Sequence, residues 1–143
     1  MSSQLQTEVY IKFFESLTPQ TPKSVYEEIF ESQATFEDPF QKVKGVEAIY
    51  AVFEHMYQTL VEPKFKVLES IGEGNIIYLR WDFSYKRDKN SQETSFMGVS
   101  RVLFSENGKV ISHIDYWDAA SNIYESIPVL GPILRLIKGK INA

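Results

Sequence analysis

Leu5, Val9, Phe13 and Leu17 recur four residues apart with Tyr10 and Phe14 beside them, which predicts an amphipathic helix over residues 5–17 that Thr18-Pro19 ends. Thr21 is placed to cap a second short helix with Pro22 at its first position, and Val25, Tyr26, Ile29 and Phe30 give it an apolar side. An extended piece, residues 34–39, follows. After Gly45 the stripe Val46, Ile49, Tyr50, Phe53, Met56, Tyr57 and Leu60 keeps helical spacing over four turns and stops before Pro63. From residue 64 the period changes to two. Phe65 and Val67 alternate with polar residues, and residues 76–85, 93–104 and 109–117 read as further strands rich in β-branched and aromatic side chains. Asn107-Gly108 is a favoured tight-turn pair, so these strands form an antiparallel meander. Asp118 then caps a short helical piece, and a tail interrupted by Pro and Gly closes the chain.

Three helices followed by a long antiparallel sheet predict a single α+β domain over residues 1–143, with the helices covering one face of a strongly curved sheet. Such an arrangement encloses an apolar cone. Composition agrees: 143 residues, 43% of them hydrophobic, suffice for a core without covalent or metal staples. The absence of cysteine excludes thiolate zinc, iron–sulfur and disulfide chemistry and makes a cytoplasmic setting the expectation. A net charge of −4 argues against a nucleic-acid partner. The N-terminal MSSQLQTEVY has neither the basic nor the apolar region of a signal peptide, and the longest apolar stretch, residues 127–137, is too short and too interrupted to span a bilayer. No transmembrane segment is expected.

The phrase Phe36-Glu-Asp-Pro39, Gly45 opening a long helix, Asn107-Gly108-Lys-Val, and His113-Ile-Asp-Tyr-Trp-Asp118 resemble the nuclear transport factor 2-like superfamily. That superfamily includes ketosteroid isomerase, limonene-epoxide hydrolase and polyketide cyclases of SnoaL type, and the resemblance is nearest to SnoaL-like members. It implies a cone-shaped, cystatin-like fold with an apolar pocket and no cofactor. In ketosteroid isomerase an Asp in a similar phrase abstracts the proton, which matches Asp38; the positions of its Tyr and Asp oxyanion donors fall on Phe14 and Ser100. Loss of such a donor costs about 10²–10³ in rate, so steroid isomerisation by that route is not expected. Limonene-epoxide hydrolase has an Arg-x-Asp motif resembling Arg80-Trp81-Asp82 and a water-activating Asp resembling Asp115, but its supporting Tyr and Asn positions carry Phe36 and Asp38 here.

Alternation along the last strand puts His113, Asp115 and Trp117 on one face. The resemblance makes that face the pocket wall. An imidazole and a carboxylate two residues apart can tune one another, and an apolar cavity raises a carboxyl pKa by desolvation. Asp38 is either a second pocket carboxylate or an aspartate capping its own turn before Pro39. Either Arg80 and Asp82 or Trp81 and Phe83 face the cone; the need for apolar lining favours the aromatics. The candidate catalytic residues are therefore Asp38, Asp115 and His113, and the candidate substrate-binding residues Phe14, Val52, Met56, Trp81, Phe83, Ser100 and Trp117. His55 reads as a helix-surface residue, and no spacing supports a metal site.

Two functions remain open from sequence. One is a cofactor-free isomerase, cyclase or hydrolase using acid/base carboxylates on a small hydrophobic molecule; the other is a non-catalytic module binding a lipid-like ligand or a protein. The open sheet face, with Ile77 or Trp81, Val99 and Tyr116, predicts a homodimer. In the tail, Ile133, Leu134, Leu136 and Ile137 alternate with Arg135, Lys138 and Lys140. This basic amphipathic segment suits a membrane surface, a lid over the cone, or packing on its own or a partner subunit.

Overall fold

A computed structural model describes residues 3–122 and 130–141. Helices α1 (Ser3–Ser16) and α2 (Lys23–Ile29) lead into strands β1 (Phe30–Glu37) and β2 (Lys42–Lys44). Helix α3 (Val46–Thr59) follows, and then β3 (Val61–Glu73), β4 (Ile76–Lys86), β5 (Thr94–Phe104) and β6 (Val110–Tyr116). Helices α4 (Ala119–Asn122) and α5 (Leu130–Ile141) end the described chain. The six strands form one curved, unclosed sheet in the order β2-β1-β6-β5-β4-β3, and α1, α2 and α3 pack on its concave side. This is the α+β cone that the hydrophobic pattern predicts.

Several local expectations need correction. Strands β3 to β6 are the antiparallel meander, but β1 is longer than the extended piece at 34–39 and pairs in parallel with β6. Phe30 opens this strand rather than closing α2, because its extended backbone lets it pair with Val110. Pro22 is the cap of α2, with no side-chain bond; the Thr21 hydroxyl instead accepts the N–H of Thr18, 3.0 Å away, within the preceding turn. On α1 the buried face is Gln6, Tyr10, Phe13 and Phe14, while Leu5 and Val9 are exposed. The larger rings win the core and rotate the stripe. Strand β3 starts before Pro63, which an edge strand tolerates because its missing N–H breaks no interior ladder.

The core is aromatic. On β4 alternation buries Ile77, Leu79, Trp81, Phe83 and Tyr85 and turns Tyr78 and Arg80 outward. Ile77 and Trp81 thus belong to the concave side; the outward patch on the sheet contains Tyr78, Met97 and Tyr116, with Val99 half-buried beside them. Gly45 begins α3 at φ +97°, a left-handed conformation that strains any side chain, and its N–H binds the Ala34 carbonyl at 2.7 Å. That bond ties α3 to β1. Gly98 lies opposite Trp81 across the sheet, and a Cβ there would overlap the indole ring. The missing side chain is what lets Trp81 lie flat against β5.

Candidate functional site

The site forms where a register shift in β6 resets its alternation. Val110 is buried, and strict period two would turn Ser112 and Ile114 inward after it. An irregularity between the Leu103 and Phe104 pairings instead places His113 and Asp115 on the concave face. His113 is 2% exposed and stacks on Phe36 with ring centroids 4.6 Å apart. Its Nδ1 lies 2.7 Å from the Tyr10 hydroxyl, and its Nε2 lies 2.6 Å from Asp115 Oδ1.

Donor and acceptor roles in this chain follow from its ends. Burial first, and the Asp115 charge second, push the Tyr10 phenol well above its ordinary pKa, so it stays a donor. A phenol that keeps its proton can donate it to Nδ1, and in that arrangement Nε2 carries the ring proton and directs it at Asp115 Oδ1. From the other side Trp81 Nε1 donates to Ser100 Oγ at 2.7 Å, and Ser100 Oγ donates to the same Asp115 Oδ1 at 2.5 Å. One carboxylate oxygen is therefore clamped by two donors, each held from behind by an aromatic side chain. Asp115 Oδ2 accepts no hydrogen bond from a described residue, and among the described residues no fully enclosed polar side-chain atom lacks a partner. Oδ2 is thus the open face of the carboxylate.

Two cavities meet there. A pinhole with room for about one water lies behind the network, lined by Phe14, Leu79, Ser100 and His113. In front, a cavity of about 350 Å³ opens toward α3 and the turn after β1. Phe65, Trp81 and Asp115 line both. The front cavity holds Val52, Met56, Trp81, Phe83 and Trp117 of the residues nominated from sequence. Phe14 and Ser100 lie instead on the pinhole. Asp38 lines the front cavity, but its oxygens also accept bonds from the backbone of Phe40 and Gln41 and from the Gln41 side chain, at 2.8 to 3.2 Å. It is a turn aspartate and a wall residue together. Arg80 lies outside, its guanidinium 3.0 Å from Met97 Sδ, so the epoxide-hydrolase arrangement with Arg80 in the pocket is not formed.

Tyr10 escapes a gap-free count, which lands on Phe14. The signal was present: residues 10 and 14 are one helical turn apart on the same face, so a phenol one turn earlier reaches the same region. Phe96 was also missed, though alternation with Gly98 and Ser100 points it inward. His55 lies on the cavity rim. Among the described residues, no group of three or more His, Asp or Glu side chains is placed to hold a metal.

Solved structures share the fold. A protein described as a SnoaL-like polyketide cyclase from Jannaschia sp. CCS1 superposes with a TM-score of 0.72 at 15% identity, over 82% of this chain and 88% of that one. A ketosteroid isomerase-like protein from Catenulispora acidiphila, solved with trimethylamine, gives 0.69 at 10% identity over the same shares. An NTF2-like protein of unknown function from Burkholderia pseudomallei gives 0.68 at 18% identity, covering 85% of this chain and 95% of that one. At these identities the likeness is one of fold. No curated protein matches the chain. The sequence of residues 11–113 does match the SnoaL-like domain, and the chain belongs to that family within the nuclear transport factor 2-like superfamily.

Proposed function

We propose that the protein is a cofactor-independent isomerase or cyclase that moves a proton on a small hydrophobic carbonyl compound, with Asp115 as the proton-transfer group. The observation that supports this reading is the asymmetry of the Asp115 carboxylate. Oδ1 is fixed by His113 and Ser100, while Oδ2 is open to an aromatic cavity. A fixed carboxylate in apolar surroundings suits general acid–base work, because it reaches a substrate carbon without first losing a hydration shell. His113 orients it, and Asp38 sets a second carboxylate on the cavity wall.

The test is Asp115→Asn. An amide oxygen at Oδ1 still accepts both bonds, so the fold is kept while the base is lost. Deuterium uptake at the carbon next to the carbonyl, followed by mass spectrometry over a panel of aryl ketones, should fall by roughly 10²-fold or more. Uptake by the native chain no faster than in protein-free buffer across the panel overturns the reading. A binding module is the second reading, favoured by one fact: the donors nearest Asp115 are spent on holding it, which leaves none for a developing oxyanion. Binding without exchange is its signature.

The outward patch of Tyr78, Met97 and Tyr116 is proposed as the face that joins two copies. Light scattering should give twice the 16.5 kDa chain mass, reduced to one chain mass by Met97→Lys with Tyr116→Lys.

A further inference from the structure

We infer that the front cavity selects ligands carrying a positively charged nitrogen on a hydrophobic body; this rests on the reading that the cavity is the ligand site. Its walls hold two carboxylates, Asp38 and Asp115, and no lysine or arginine among the described residues. An aromatic wall runs between them. Trp117 follows Asp115 by two residues and meets the ring of Phe40, which follows Asp38 by two, at a centroid distance of 5.3 Å. The Trp117 ring also lies 4.6 Å, centroid to centroid, from Phe96.

Ring faces attract cations, and carboxylates in a poorly hydrated cleft do so more strongly. The same walls reject anions. Asp38 is suited to hold such a charge, because the turn donors that fix its orientation leave acceptor capacity on a two-oxygen group. A cationic substrate also answers the shortage of oxyanion donors around Asp115. When a proton passes from substrate carbon to Asp115 Oδ2, the electron pair stays on the substrate. There the ligand's own positive charge offsets it.

The native chain reports its own binding, since its two tryptophans, Trp81 and Trp117, both line this cavity. Intrinsic fluorescence titrations in mildly alkaline, low-salt buffer would compare benzyltrimethylammonium, its neutral carbon isostere neopentylbenzene, and the anion phenylmethanesulfonate. The cation should bind about tenfold tighter than the isostere, lose affinity as salt is added, and lose most of its preference in Asp38→Asn and Trp117→Leu. The anion should not bind. Equal or tighter binding of neopentylbenzene overturns cation selection but leaves the apolar ligand site standing. Silence from all three probes overturns both. The comparison on the native chain decides the matter even if a variant fails to fold.

Discussion

Replacing Tyr10 by Phe removes one hydroxyl from the deepest point of the network and little else. The ring keeps its edge contacts with Phe14 at 4.9 Å and with Phe30 and Phe104 at 6.0 Å, so the apolar area buried is unchanged. What is lost is the 2.7 Å bond to His113 Nδ1, and an acceptor 103 residues away in sequence is left dry. A net hydrogen bond is worth about 0.5–1.5 kcal/mol, and stranding its buried partner raises the cost to about 1–3 kcal/mol. With a urea slope of about 2 kcal/mol/M, the midpoint of unfolding should fall by roughly 0.5–1.5 M at unchanged slope. Tyr26→Phe is the control. That side chain is as shielded overall as Tyr10, but its hydroxyl bonds no described residue and is not a fully enclosed atom, so the shift should stay within about 0.5 kcal/mol. Nitrogen-15 spectra of the His113 ring should show Nδ1 as the unprotonated nitrogen in the native chain. Equal melts for the two variants, or a proton found on Nδ1, would refute the donor assignment on which the site rests.

Gly98→Ala should force Trp81 off β5 and part its Nε1 from Ser100, costing about 1–3 kcal/mol as overpacking and shifting tryptophan emission; an unchanged spectrum and melt would show that the indole has room to spare. Stability should also fall in alkali. Burial raises Tyr57 to about 12 and pushes Tyr10 and Tyr26 up as well, so below about pH 10 their contribution is whole, and it is lost as pH climbs toward the folded values. Absorbance of phenolate should rise in two steps, the second coinciding with loss of ellipticity; all eight tyrosines ionising together in folded protein would contradict this.

The long helix and strands β4 and β5 were legible because each carries its period over ten or more residues. The parallel pairing of β1 with β6 was not, since no local pattern tells a strand which distant neighbour it will join. Alternation correctly set His113 and Asp115 on one face and Trp81 and Phe83 inside. It could not show that Val110, three residues before His113, shares that face, because a bulge erases phase. Asp38 shows a different limit. Pro39 fixed the direction of the backbone, yet whether the carboxylate served its turn or the cavity depended on side-chain placement, and it does both.

The parallel joint between β1 and β6 has a further meaning for how the chain acquires its shape. Residues 30–37 wait for residues 110–116 before their strand has its inner neighbour, and the network at Asp115 draws on α1, β4, β5 and β6 at once. No early fragment holds the finished Asp115 network. During synthesis from the N-terminus, the inner edges of β1 and β5 stay unpaired until the last strand emerges, and unpaired strand edges of this kind recruit chaperones. Maturation of the site and completion of the fold are then the same kinetic event, so native tryptophan emission from Trp81 should return on refolding with the slowest phase, with no native-like species lacking the Asp115 network before it.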